Sequence, residues 1–395
     1  MEYKTIKELC DLVVDCPHST PKWTEHGKIV IRNNNIKNGK IDFTSPSFTD
    51  DEHFAQRIKR AVPKAGDVII TREAPMGEVG MIPENVECCL GQRMVLLRAN
   101  DQICDNHYLL YGLQSKFVQH QISWSEGTGT TVSNLRIPHL EQIRVPYVPL
   151  DQQKKISSVL YALEDKIENN RKLNDNLQQQ AQAIYRELFE GIKSNDLPNG
   201  WRIVPLNEIA MISKKSFNPR TEPTKILEHY SIPAFDETKF PIFESATSIK
   251  SNKFVVDSSS IMISKLNPTI KRVWKPYCLT GNAVCSTEFI VYKSKDPSIT
   301  DFLYSVIDSK SFSDFMCSHI TGSTGSRQRT TPSETLSYEV ILPSKDELTK
   351  FQSLISPMYS RMRNNAIEND RLKKLRDSLL PKLMSGEIDV SNILL

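Results

Sequence analysis

The sequence predicts an α/β (α+β) protein of two similar domains separated by a long antiparallel two-helix coiled coil, with a pseudo-twofold between its halves. Three observations predict it. Apolar residues alternate at steps of four and three through Ile156, Leu160, Leu163, Ile167, Asn170, Asn174, Leu177, Ala181, Ile184 and Leu188. That spacing is a coiled-coil seam, broken only by two Asn. The seam returns 195 residues later in Phe351, Ile355, Met358, Met362, Asn365, Asn369, Leu372, Arg376, Leu379 and Leu383, with its Asn pair in the same place. The segments that precede the two seams also match one another, so the chain is an internal repeat.

Residues 1–148 read as the first domain. Lys28–Ile31 is strand-like, and Asn38-Gly39 before Ile41–Phe43 fits a type I′ hairpin turn. Gly66–Thr71 and Arg93–Arg98 are short buried strands, Asn106–Ile122 has helical spacing, and Ile143–Pro149 is an extended exit strand. Residues 149–191 form the first long helix, starting near Asp151 and stopping at Gly191. A polar linker leads into the second domain, 192–343. There Leu206–Ala210 replays Ile6–Cys10, Ser260–Lys265 replays Asp67–Arg72, and Thr287–Tyr292 replays Arg93–Arg98. Residues 344–395 form the second long helix and a tail. Pro357 is expected to kink that helix or mark its effective start, and Pro381 to disturb its last turn.

Connectivity dictates the expected geometry. The second domain begins within a short linker of the first helix's end, so the second helix must run back along the first. Asn170 then faces Asn369 and Asn174 faces Asn365. Asn in a seam costs stability and fixes register. Such a seam is roughly 50 Å long at about 1.5 Å per residue.

Composition is that of an ordinary soluble chain, 39% hydrophobic and 25% charged, with a formal charge of +3. Any nucleic-acid surface must therefore come from local clusters. The eight Cys lack metal-type pairing and read as free cytosolic thiols. No secretory signal core and no apolar run of membrane-spanning length occurs, so a cytoplasmic protein without a membrane contact is expected. Enzyme motifs are missing. Asn218-Pro219-Arg220 and Asn267-Pro268-Thr269 lack the second Pro and the aromatic of an amino-methyltransferase loop. Gly127-Thr-Gly-Thr-Thr131 lacks the Lys of a phosphate loop. No catalytic residue, metal site or bound cofactor is expected.

Basic and amide-rich loops are the remaining candidates for binding. The first domain offers Arg32, Asn33, Asn34, Asn35, Lys37, Arg57, Arg60, Arg72, Arg93, Thr128, Thr130, Ser133, Asn134 and Arg136. The second offers Lys214, Lys215, Arg220, Lys265, Asn267, Lys271, Arg272, Arg327, Gln328 and Arg329. Arg reads guanine and Asn or Gln reads adenine bidentately in the major groove, while Lys and Ser/Thr mostly hold phosphates. Loops at matching places differ completely, as in Arg72–Gly77 against Lys265–Ile270. One scaffold with two unlike loop sets points to one task performed on two targets.

These residues together resemble the specificity subunits of type I restriction–modification enzymes. The resemblance is carried over the whole chain by Gly66–Thr71, Leu90–Arg93, Pro149–Ile156, Ile263–Pro268, Cys285–Ile290 and Leu379–Gly386, in that order around two seam helices. One departure is Ser344–Lys350, which lacks the Gln of Gln152-Gln153. The resemblance implies a non-catalytic reader of double-stranded DNA, with one half of a bipartite asymmetric site per domain. It implies two modification (methyltransferase) subunits as partners, and restriction subunits joining through the complex. S-adenosylmethionine, ATP and Mg would sit on those partners. A specificity subunit of a related two-component methyltransferase/endonuclease system and a two-module protein scaffold with no DNA role are the alternatives.

Overall fold

The computed structural model describes residues 2–124, 134–321 and 328–393. It contains two compact units, Met1–Ile167 with Arg371–Leu395, and Glu168–Asp370. Both are mixed α/β, and the same plan builds each.

In unit 1 the strand Glu2–Thr5 pairs antiparallel with the exit strand Arg144–Tyr147. A four-stranded sheet follows, in the order Cys10–Asp15, Met94–Ala99, Val68–Thr71, Val79–Met81. Its central strands carry apolar residues on both faces, and Val68, Ile69 and Ile70 are fully buried. A second sheet of Ser47–Thr49, Lys28–Ile31 and Cys88–Leu90 holds the loops that precede it. Asn38 and Gly39, both at positive φ, close the hairpin of Ile36–Lys37 and Lys40–Ile41. The helical stretch after the sheet is two helices, Asn106–Gln114 and Lys116–Ser123. The break is Ser115, whose Oγ accepts from Val118 N and starts the second helix.

Unit 2 repeats this. Arg202–Pro205 pairs with Glu339–Leu342. The four-stranded sheet runs Ala210–Ser213, Phe289–Ser294, Ser260–Ser264, Val273–Trp274. The helices Thr300–Ile307 and Lys310–Ser318 are divided at Ser309, which caps the second through Phe312 N. The accessory sheet is larger, with five strands: Ser216–Phe217, Lys253–Val255, Ala283–Ser286, Ile226–Tyr230 and Ile242–Ser245.

Each long helix is continuous over 40 residues, Leu150–Phe189 and Lys345–Met384. Gly191, at φ +84°, ends the first. In unit 1, Ile156 and Leu160 pack with Leu383, Met384, Tyr108 and Tyr111, and Arg376 reaches Glu164 at 3.3 Å. In unit 2, Asn170 Nδ2 donates to Asn369 Oδ1 at 2.9 Å and Asn365 Nδ2 donates to Asn174 Oδ1 at 2.8 Å. As the residue number rises on one helix its partner's number falls, so the helices are antiparallel.

Two local expectations need correction. The helix starts at Lys345, so Pro357 does not mark its start, and it continues past Pro381 to Met384. Both prolines are solvent-exposed. The ring removes one N–H, so the carbonyl one turn earlier loses its intrahelical partner. The seam also drifts. Beyond Ala181 the buried residues are Tyr185 and Phe189, and Leu188 is 40% exposed. A helix of 3.6 residues per turn departs from a 3.5 repeat, so its contact face moves round by one residue. Burying Tyr185 and Phe189 against Phe302 and Phe351 contributes on the order of 1.5–3 kcal/mol for a large apolar side chain. That contact fastens the helix end to the unit 2 core.

Candidate nucleic-acid interface

The candidate site in each unit sits where the central strand of the four-stranded sheet runs out. In unit 1, Arg72 N donates to Arg93 O at 2.8 Å, and Arg72 O accepts from Leu135 N at 3.0 Å. Three segments thus meet at one residue by backbone bonds alone. The edge strand adds Asp15, opposite Val95. The Arg72 guanidinium lies inside this junction, 8% exposed. Nη1 donates to both Asp15 carboxylate oxygens at 2.9 Å, Nε to Leu135 O at 2.9 Å and Nη2 to Asn134 Oδ1 at 3.1 Å. Arg93, at φ +68°, is exposed and pairs with Glu73 at 3.2 Å. Asn33 Nδ2 donates to Ala74 O at 2.7 Å, tying the Asn33–Asn35 turn to the loop after Arg72. The Arg32 guanidinium stacks 5.1 Å from the exposed Trp23 ring. Arg32, Asn33, Arg72, Arg93 and Asn134 are therefore one cluster.

Unit 2 has the same junction. Lys265 N donates to Glu288 O at 2.9 Å, and Lys265 O accepts from Thr330 N at 3.1 Å. Lys265 thus occupies the place of Arg72, Glu288 that of Arg93, and Arg329 that of Asn134. The residue after Ser213, which opposes Val291, is Lys214, in the place of Asp15. The backbone is repeated and the charges are permuted. Glu288 is the hub here, accepting Arg329 Nε and Nη2 at 3.0 Å each. Those bonds, opposed by partial burial and helped by Arg329 and Lys265 charge, hold the Glu288 carboxyl below the usual range. Asn267, at φ +48°, donates its N–H to Gln328 O at 2.9 Å and brings Gln328 into the group.

Several candidate residues point elsewhere. Arg57 is 6% exposed, and its Nε, Nη1 and Nη2 donate to the carbonyls of Leu90, Ser19 and Pro17 at 2.7, 2.9 and 3.2 Å. It is an internal strut, not a surface contact. Arg272 is 7% exposed and paired with both Asp236 oxygens at 2.6 and 2.9 Å. Arg72 and Asn35 are likewise turned inward, Asn35 capping its own turn through Arg32 N and Asp42 O. Lys271 reaches Asp308 at 2.8 Å to the carbonyl and 3.0 Å to the carboxylate, beside a carboxyl that burial pushes upward. Asn34, Lys37, Arg60, Arg136, Lys214, Lys215 and Arg220 are exposed. Thr128, Thr130, Ser133 and Arg327 lie outside the described residues. The acidic partners Asp15, Glu73, Asp236 and Glu288 escape a search for basic and amide residues. No local pattern marks them, because each meets its partner only through the fold. Exposed Trp23 escapes it too.

The exposed groups are N–H donors, amides and one aromatic ring, the types that meet base edges and phosphates. Among the described residues no group of three or more His, Cys, Asp or Glu is placed to hold a metal ion. Burial pushes the Cys88 and Cys104 thiols up to about 12, far from a thiolate nucleophile at neutral pH. Among the described residues no helix is long and apolar enough to cross a membrane.

Comparison with known proteins gives a consistent picture. Residues 1–179 match the family described as the type I restriction modification DNA specificity domain. The specificity subunit of the type I restriction enzyme MjaIX of Methanocaldococcus jannaschii is 26% identical over 367 residues, 85% of this chain and 80% of that one. The HindI specificity subunit of Haemophilus influenzae is 22% identical over 84% of this chain and 88% of its own. The fold is that of the crystal structure of a type I restriction-modification system S subunit from M. genitalium. The TM-score is 0.59 at 17% identity, over 97% of this chain and 95% of that one.

Proposed function

We propose, from the premise that the chain belongs to the type I restriction–modification specificity family, that it is the DNA-reading subunit of such a complex. Each unit reads one half of a bipartite, asymmetric site in double-stranded DNA. The paired helices set the unread gap between the halves. The chain itself performs no chemistry. It docks two modification subunits, which carry S-adenosylmethionine and methylate adenine, and restriction subunits that use ATP and Mg join through that complex in the cytoplasm.

The observation that carries this reading is the repeated junction. Lys265 stands where Arg72 stands, held by the same two backbone bonds, yet the surrounding side chains differ in type and sign. A duplicated enzyme site keeps its chemistry, whereas a duplicated reader keeps its frame and changes its contacts.

Two measurements test it. The full chain is titrated against a random duplex pool at rising salt. A DNA reader loses affinity steeply as counterions are released, and a protein scaffold shows no such binding. Replacing residues 1–148 by the matching domain of a relative changes one half of the selected site and leaves the other. A hybrid that changes both halves, or neither, refutes the modular reading.

A further inference from the structure

The two junctions share one more arrangement. In each unit the residue just before the one whose backbone N–H closes the junction is gripped by a charged side chain from inside the junction. In unit 1 that residue is Asn134, preceding Leu135, and the Arg72 guanidinium donates to its Oδ1 at 3.1 Å. Arg72 is itself fixed by Asp15 and Leu135 O. In unit 2 the residue is Arg329, preceding Thr330, and Glu288 holds it at two points, both 3.0 Å. Neither gripped side chain is buried, whereas the gripping groups lie deeper. The Arg72 side chain is 10% exposed and that of Glu288 28%, against 41% for Arg329.

We propose that Asn134 and Arg329 are equivalent base-reading side chains, and that Arg72 and Glu288 are the positioning residues that aim them. This rests on the DNA-reading function proposed above and adds the identity of one base pair in each half-site. A carboxylate that takes two coplanar N–H groups of a guanidinium fixes its plane and stops rotation about the long side chain. That removes much of the entropy cost of ordering an Arg on a base. An Arg so fixed suits the N7 and O6 acceptors of guanine. An amide held through its carbonyl suits the N7 acceptor and N6 donor of adenine. Unit 2 is therefore expected to require a G·C pair, and unit 1 an A·T pair, at the position facing the junction. The permuted charges acquire a reason: each hub has the sign that its reader needs, cationic for a carbonyl and anionic for a guanidinium.

The test is selection of sites from a random duplex pool with the full chain and its variants, with thermal melting as a check on folding. Glu288→Gln replaces one acceptor by a donor and breaks the two-point grip. The expected result is a loss of about 10-fold in preference at one G·C pair of one half-site, the scale of a single bidentate contact. The other half-site and the melting temperature stay unchanged. Glu288→Asp keeps the carboxylate and recovers part of the preference. Arg329→Lys keeps the charge, cannot be gripped at two points, and shows the same signature as Glu288→Gln. Asn134→Ala loses preference at one A·T pair in the opposite half. If Glu288→Gln or Arg329→Lys weakens binding equally on all sequences, Arg329 is a phosphate contact and the inference is overturned. An unchanged site in either variant also overturns it. A wild-type chain that selects no sequence removes the DNA-reading function and this inference together; selective binding with indifferent variants removes the inference alone.

Discussion

Replacing Asn369 by Leu probes the polar pair inside the helix seam of unit 2. Asn170 is 2% exposed. Its Nδ2 donates to Asn369 Oδ1 at 2.9 Å and to Glu368 Oε2 at 2.8 Å. Asn369→Leu removes one of those acceptors and leaves a buried amide under-satisfied, a cost of about 1–3 kcal/mol. Asn170→Leu alone takes this donor away from Oδ1 of Asn369, itself 7% exposed, at a similar cost. The double replacement restores an apolar seam of similar volume and is expected to be neutral or stabilising. The cycle should therefore give a coupling of about 2–6 kcal/mol, the sum of the two single costs. Unit 2 carries Trp201 and Trp274. Urea unfolding followed by fluorescence, with Trp23 and Trp124 replaced by Phe, reports that unit. A coupling under about 0.5 kcal/mol, the scatter of independent sites, or a single variant more stable than wild type, refutes the account.

Three further outcomes are expected. One heptad inserted beside Asn174 and another beside Asn369 keep the seam in phase and lengthen the helix pair by about 10 Å, at roughly 1.5 Å per residue. On the proposed function the preferred gap grows by up to about three base pairs, with DNA twist reducing the gain; an unchanged gap in a variant that still binds shows that the helices do not measure it. Arg57→Met leaves three carbonyls without their donor and lowers unit 1 stability by about 2–4 kcal/mol, with no change in the selected bases; altered base preference would make Arg57 a reader. Burial holds the His229 imidazole below its ordinary value despite the Glu244 contact at 2.7 Å. The unfolded chain therefore binds the proton first, and unit 2 loses stability as pH falls through the ordinary histidine value near 6.5. His229→Gln should flatten stability between about pH 7.5 and 5.5, and an equal loss in both proteins excludes His229 as the source.

The duplicated plan was legible because it is written in periodicity. Apolar steps of four and three mark helices, and Asn38-Gly39 marks its hairpin, through properties of adjacent residues. Ser115 carried a weaker signal: a Ser inside an apolar helical run is also an N-cap, and it splits what reads as one helix over Asn106–Ile122, as Ser309 does at the matching break in unit 2. The seam failed where a 3.5 repeat was extended too far: Leu188 is exposed where Phe189 is buried, and Ile184 packs half-buried beside the buried Tyr185. The inward turn of Arg57, Arg72 and Arg272 was not legible at all. Sheet pairing brings up Asp15 and the Leu90 carbonyl, the helix Ile232–Thr238 brings up Asp236, and no local pattern separates a cation that will find a buried partner from one that faces solvent.

The division of the long helices has a consequence for synthesis. Unit 2, Glu168–Asp370, is one uninterrupted stretch. Unit 1 is not: its N-terminal residues wait for Leu383, Met384 and Val390 to cover Tyr108, Tyr111, Ile156 and Leu160. The domain that leaves the ribosome first is thus sealed last, after its neighbour has all the residues it needs. Until then it holds open an apolar face that a chaperone, or another nascent chain, meets first. A stop codon just before Leu383 removes little of the sequence, yet it takes Leu383, Met384 and Val390 away from that face of the first-made domain.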